Sequence, residues 1–343
     1  MNIAHLLPHS AHFPLAKHNG RYEWALRLAR LQVAAGHTVT IYAAPDSSDA
    51  TSGLIWRSLP RSLNNKSLDN IALIKTAFQQ PEHDIFHSHF DYLHYLVADM
   101  TPKPILFTQH WFPNETVADA SIYNVRGNVY AVPVTDYMQR IDQQLGLRVA
   151  ERIYHGIDLT LFHPTMNHDA DRLIFVGRIA PHKGVREIVE IAIAAGEKLD
   201  IIGKVNTVDA TYWEDILPLV DGKQIRYLGA LPQADVAHAL AEAKAFLFSS
   251  QTLEAFGQVT IEAQACGTPV IINDVGASRE LVKDGLTGFV VSTRDEYLKA
   301  IAQLTMIDSA ACRTFAEQFD VHVMADQYSA LYRRLIAEAD HTV

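Results

Sequence analysis

The sequence predicts an α/β protein built from two Rossmann-like, doubly wound parallel-sheet domains facing a central cleft. Three observations carry this. Short apolar, β-branched runs alternate with helical patterns, and the alternation occurs twice along the chain. The strand runs are continuously apolar, as in a sheet covered on both faces. The length, 343 residues, suits two cores, because one core rarely grows past roughly 250–300 residues.

In the first half, Asn2 to Leu7 is an apolar run stopped by Pro8, and reads as a buried strand. Trp24, Leu28, Leu31 and Val33 recur at helical spacing, and Gly36-His37 ends that helix. Thr38–Tyr42, Asp84–His87, Pro104–Thr108 and Tyr130–Val134 are the next strands. The second half repeats the pattern. Arg172–Gly177, Leu199–Gly203, Ile225–Leu228, Ala245–Phe248 and Pro269–Ile272 read as strands, with helices over Val185–Ala195 and Gln233–Ala243. The polar, aperiodic stretch His163–Ala170 is the expected linker. The domains are therefore expected at 1–162 and 171–322, with a helical segment, 323–343, after them. In such sheets ligands bind beyond the carboxyl ends of the strands.

Composition narrows the function classes. The chain carries 29 Lys and Arg against 39 Asp and Glu, a net charge of −10, which argues against non-specific nucleic-acid binding. Residues 1–160 hold 13 basic and 14 acidic residues and residues 161–343 hold 16 and 25, so the acid is concentrated in the second half. No apolar run approaches the ~18–20 residues of a membrane span, and the first residues lack the basic start of a signal peptide. Cys266 and Cys312 make neither a disulfide framework nor a metal knuckle. A cytoplasmic enzyme is the expectation, with peripheral membrane contact left open.

Two blocks carry chemistry. In Ser249–Ala263, Glu254 follows a strand and Glu262 lies about two turns into a helix starting near Gly257 or Gln258. A helix start offers free N–H groups and partial positive charge to an anion. A carboxylate inside the helix suits neutral sugar hydroxyls. On spacing alone, Glu254 reads equally as a capping acid and Glu262 as a surface charge. In Val176–Gly184, Arg178 and Lys183 follow a strand end and precede a helix. A planar guanidinium and a mobile ammonium together suit a pyrophosphate, or are two solvated loop cations.

These blocks, in this order, resemble the retaining glycosyltransferases of family 4, the group 1 glycosyltransferases with the GT-B fold. The resemblance runs through Gly36–Thr40, Tyr154–Asp158, Gly177-Arg178, Lys183-Gly184, Glu254 to Glu262, Ala265–Ile271, Gly276 with Glu280, and Asp284-Gly285. It implies transfer of a hexosyl-type group from a nucleoside-diphosphate sugar, UDP- or GDP-linked, to an acceptor hydroxyl with retention of configuration. It implies no metal and no cofactor, and a C-terminal helix, 323–343, that crosses back onto the first domain. Arg178 and Lys183 would hold the donor diphosphate, and Glu262 the ribose hydroxyls. Glu254 and the backbone of Ala255, Phe256 and Gly257 would hold the donor sugar, with Thr260 at the helix start near phosphate. His110 matches the family's active-site histidine. The family's Gly-Gly pair appears as Gly20-Arg21, so Arg21 brings a charge where a second glycine would let backbone approach phosphate. Arg21 is thus expected to meet donor phosphate or an anionic acceptor, or else points outward from the helix start. The acceptor is a sugar, a small molecule or a lipid-linked group, with Trp24, Trp56, Trp111 and Phe112 as candidate contacts.

Other readings stay open at this level. A sugar-nucleotide epimerase or a phosphorylase shares the fold, and a non-catalytic nucleotide-sugar-binding protein would share the site. His87-Ser88-His89 with Asp91 begins a metal pattern, but no HExxH or similar completion follows. Asp169-Ala170-Asp171 precedes a strand instead of following one, which discounts it as a metal-binding Asp-x-Asp.

Overall fold

A computed structural model describes residues 1–15, 19–60, 65–112, 127–165 and 171–341. The chain divides into two compact units, Met1–Tyr154 with His322–Val343, and His155–Val321. Of the expected linker, His163–Thr165 lies in the second unit and residues 166–170 lie outside the described residues.

The first unit carries β1 (Asn2–Leu6), α1 (Gly20–Ala34), β2 (Thr38–Tyr42), β3 (Leu54–Arg57), α2 (Lys66–Phe78), β4 (Ile85–Ser88), β5 (Ile105–Thr108), β6 (Val129–Val132) and α3 (Asp136–Gln144). The second carries β7 (Arg172–Val176), α4 (Val185–Ala195), β8 (Lys198–Ile202), α5 (Ala210–Ile216), β9 (Ile225–Gly229), α6 (Gln233–Ala241), β10 (Ala245–Phe248), α7 (Gln258–Ala265), β11 (Val270–Asn273), α8 (Ser278–Leu281), β12 (Gly288–Val291), α9 (Arg294–Ala302) and α10 (Ser309–Ala316). The helix α11 (Val321–Asp340) then supplies the terminal segment of the first unit.

Each unit holds a six-stranded parallel sheet, in the order β3-β2-β1-β4-β5-β6 and β12-β11-β10-β7-β8-β9. Both orders reverse beside the first strand of the unit, at β1/β4 and at β7/β10, where doubly wound sheets open a crevice for ligands. Two edge strands, β3 and β12, escape sequence reading. Leu54–Arg57 is half-exposed with only three apolar side chains before its arginine, and Gly288–Val291 offers only three after its glycine.

Strand alternation sorts the first sheet into two faces. Ala4, Leu6, Phe86, Ile105 and Phe107 join Leu73 of α2 in one apolar core. The intervening positions His5, His87 and Thr108 project to the other face, with His5 directly beside His87 in register. There they meet Gln32 of α1 and Tyr328 and Tyr332 of α11, all of which are buried. The tyrosines are four residues apart, hence on one stripe of the helix. Burying one such ring contributes about 2–3 kcal/mol, and its hydroxyl needs the polar partners that this face provides.

Candidate active site

The second unit gathers its predicted residues at the β7/β10 crevice. After β7 the chain runs through Gly177 and Arg178 into the single turn Pro181–Lys183, and α4 begins from Gly184. Gly184 has φ 64° and ψ 30°, and a Cβ there would fall 1.8 Å from the Ser249 carbonyl oxygen. Only glycine permits that approach, and it brings Lys183 alongside the exit of β10. Lys183 Nζ donates to Glu254 Oε1 at 2.6 Å, joining two loops 71 residues apart in sequence. The β10 exit is itself braced. Asn273 Nδ2 donates to the Ser250 carbonyl at 2.6 Å, and the Gln251 N–H donates to the His182 carbonyl at 2.8 Å.

Arg178 is exposed, and its Nη2 donates to His182 Nε2 at 2.8 Å. Burial first, then the neighbouring Arg178 and Lys183 cations, lower the His182 pKa. The ring therefore stays neutral and keeps a lone pair for the guanidinium. His182 had drawn no role from the sequence. Its spacing, four residues past Arg178 and between two cations, was the available signal.

Helix α7 starts at Gln258 from Gly257, which adopts φ 72° and ψ 59°, and no side chain caps its first turn. Helix α4 also starts from a glycine, and the Arg186 N–H of its first turn donates to Tyr212 Oη at 3.0 Å. Ala255 and Glu262 are half-buried, whereas Thr260 is 1% exposed and Phe256 2% exposed. The Phe256 ring packs 5.2 Å from His155 and 5.9 Å from Phe319, so its side chain anchors the loop whose backbone it carries. Ser250, Glu254, Gly257, Thr260 and Asn273 line one recess between β10, β11 and α7.

In the first unit, Gly20 and Arg21 form the first turn of α1, behind the N-cap Asn19. Arg21 Nη1 donates to the His89 carbonyl at 3.0 Å, lies 3.5 Å from Asp91, and places its guanidinium 5.4 Å from the centre of the Trp111 ring. Of the aromatic candidates, Trp24 is buried and Trp111 is 59% exposed, while Trp56 and Phe112 are half-buried. His110 follows β5 and is half-buried, with Nε2 3.3 Å from His89 Nδ1. His5, His87 and His89 carry ring nitrogens within 4.8 Å of one another. Those of His87 are held by Tyr332 Oη at 2.5 Å and Thr108 Oγ1 at 2.8 Å. Asp136 opens α3 and pairs with Arg152 at 2.8 Å. Asp171 pairs with Lys198, and Asp169 and Ala170 lie outside the described residues.

Residues 160–318 match the profile of the family "Glycosyl transferases group 1". This part of the chain matches the group 1 glycosyl transferase family. It contains Arg178, Lys183, Glu254 and Glu262. Among curated proteins, the chain is 30% identical over 163 residues to D-inositol 3-phosphate glycosyltransferase of Frankia alni, covering 41% of this chain and 40% of that protein. It is 26% identical over 302 residues to the protein of that name from Mycobacterium tuberculosis, covering 75% and 62%. The chain thus spans less than two thirds of the length of either relative. Among solved structures, sucrose-phosphate synthase from Thermosynechococcus elongatus superposes with a TM-score of 0.80 at 20% identity, covering 98% of this chain and 99% of that one. Anabaena HepE in complex with UDP and glucose superposes at 0.76 with 18% identity, covering 96% and 98%. The group 1 region and the paired six-stranded parallel sheets are those of the GT-B fold.

Proposed function

We propose that the chain transfers a hexosyl-type group from a UDP- or GDP-sugar to an acceptor hydroxyl, with retention of anomeric configuration and without a metal ion. The observation that carries this is the Lys183–Glu254 pair beside the start of helix α7, whose N-cap glycine offers no side-chain cap. A cation and the backbone N–H groups of that first turn suit a diphosphate, and a carboxylate next to them suits sugar hydroxyls. The likeness to glycosyltransferases named for inositol phosphate, and to a structure holding UDP and glucose, supports the same reading.

In this reading Arg178 and Lys183 take the negative charge that grows on the departing diphosphate, doing electrostatically what a divalent cation does elsewhere. Glu262 accepts hydrogen bonds from the ribose hydroxyls. Glu254, with the backbone of Ala255, Phe256 and Gly257, orients the donor sugar, and Thr260 stabilises the turn below phosphate. The bond from the anomeric carbon to the phosphate oxygen breaks with its electron pair leaving on phosphate. The acceptor oxygen forms the new bond on the same face, and its proton passes to that phosphate oxygen. His110 is assigned to a sugar hydroxyl, and Gly20 and Arg21 to the neighbouring anionic group. The acceptor is a sugar, a small molecule or a lipid-linked group.

Thermal unfolding with UDP, GDP, ADP and their common sugars, each with and without EDTA, tests the reading. A rise in midpoint with one nucleotide family, unchanged by EDTA, is the expected result. No shift with any nucleotide would sink it. The anomeric proton coupling of the product, read by NMR, decides retention.

A further inference from the structure

A chain of hydrogen bonds, buried up to its part-buried last link, leads from α1 to His110. Gln32 Oε1 lies 2.7 Å from His5 Nε2, His5 Nδ1 lies 3.0 Å from His89 Nε2, and His89 Nδ1 lies 3.3 Å from His110 Nε2. Gln32 and His89 are 1% exposed and His5 is 0% exposed. A neutral imidazole carries one N–H and one acceptor nitrogen, so each link needs a single proton and every ring must point the same way. The direction is set at the other end of the Gln32 amide. The Gln32 Nε2 amide donates to Tyr332 Oη at 3.2 Å, so Tyr332 accepts there. Its own O–H is then directed to His87 Nδ1, 2.5 Å away. That leaves Oε1 toward His5 and puts a proton on His5 Nε2. His5 Nδ1 then accepts from His89 Nε2–H, and His89 Nδ1 accepts from His110 Nε2–H.

We propose that Tyr332, Gln32, His5 and His89 are positioning residues that hold His110 as the Nε2–H tautomer, leaving Nδ1 as its unprotonated nitrogen. His110 then accepts a hydrogen bond from a substrate hydroxyl at Nδ1 instead of donating one, and Nε2 stays anchored. Burial supports the relay by lowering the His5 pKa to about 4, which keeps that ring neutral at ordinary pH. The tautomer is inferred from this hydrogen-bond chain, and its use on a sugar hydroxyl rests in addition on the proposed transferase reading.

Long-range proton–nitrogen correlation spectra of protein labelled with ¹⁵N-histidine read the tautomers directly, with His110→Asn identifying the His110 signals. The expected spectrum has His110 Nε2 protonated and Nδ1 bare, with the same pattern in His5 and His89. A protonated Nδ1, or an unordered mixture in the wild-type protein, overturns the relay. Tyr332→Phe frees the Gln32 amide to turn, and should mix the His110 tautomers and raise the donor KM about tenfold with kcat less affected. Unmixed His110 signals in folded Tyr332→Phe would also overturn it. If the wild-type tautomer is as expected but His110→Ala leaves donor and acceptor constants unchanged, the relay stands and the assignment of His110 to substrate falls.

Discussion

Lys183 Nζ and Glu254 Oε1 stand 2.6 Å apart, and this ion pair ties the β7–α4 turn to the β10–α7 loop. Both side chains keep about a quarter or less of their surface exposed, at 21% and 25%. Solvent screening therefore limits the pair to about 1 kcal/mol of folding stability. In the proposed reaction a donor diphosphate would draw Lys183 while Glu254 turned to sugar hydroxyls. Lys183→Ala and Glu254→Ala should each lower kcat/KM by about 10²–10³ and shift unfolding by no more than about 1 kcal/mol. A double-mutant cycle on kcat/KM should show strong non-additivity. Loss of activity in step with loss of stability would instead make the pair a structural brace.

Gly184 and Gly196 bracket the same helix, α4, and offer a matched comparison. Both are left-handed, at φ 64° and 69°, but an added Cβ meets the Ser249 backbone at 1.8 Å in the first case and nothing within 4 Å in the second. Gly196→Ala should cost about 1–2 kcal/mol, the conformational term alone. Gly184→Ala should cost about 3 kcal/mol or more and should also weaken nucleotide binding, since it pushes Lys183 away from β10. Urea unfolding of the two variants, with nucleotide titration of whichever folds, checks this. Equal losses would show that the close approach to Ser249 is relaxed without effect.

The contrast between these sites and the histidine face marks what a sequence conveys. Arg178, Lys183, Glu254 and Glu262 were legible because a strand–turn–helix pattern fixes where such residues lie locally. Strands of continuous apolar character, β1 and β10 among them, were legible for the same reason. The edges β3 and β12 were not, because half-exposed strands relax the pattern. Gln32, Tyr328 and Tyr332 gave no signal at all. Their meaning depends on α1 and α11 covering the same sheet face, and Gln32 and Tyr332 are 300 residues apart. Arg21 was read as a ligand contact or an outward-pointing residue, and its visible partners are His89, Asp91 and Trp111.

Buried histidines should make the protein acid-labile. Burial lowers His5 to about 4 and His94 and His155 to about 3, from the usual 6.5. For a depressed pKa the unfolded chain binds protons first, so stability is fully present above pH 6.5. It falls as pH drops from there toward 3–4, by about 1.4 kcal/mol per pH unit for each group. Urea midpoints measured from pH 7.5 to 5 should decline ever more steeply. His94→Gln should remove one group's share of the slope. A flat profile over this range would show that these rings are protonated in the folded protein.

Asp142 works in the opposite sense. It is fully buried on α3, accepts from Gln109 Nε2 at 2.9 Å, and leaves Oδ2 buried without a partner. Burial, only partly offset by that hydrogen bond, raises its pKa from 3.8 to about 7. With a raised folded pKa, an acid's contribution is whole below pH 3.8, is lost as pH rises toward 7, and levels off above. The ionised form is thus the strained one at neutral pH, and Asp142→Asn should stabilise the protein by about 2–4 kcal/mol at pH 8. The gain should shrink steadily between pH 7 and 4, because below the unfolded pKa both states carry a neutral group. Gln109 precedes His110, so the same variant should also sharpen the His110 ring signals at pH 8 if the ionised carboxylate disturbs the end of β5. A stability gain independent of pH would mean that Asp142 does not titrate in this window.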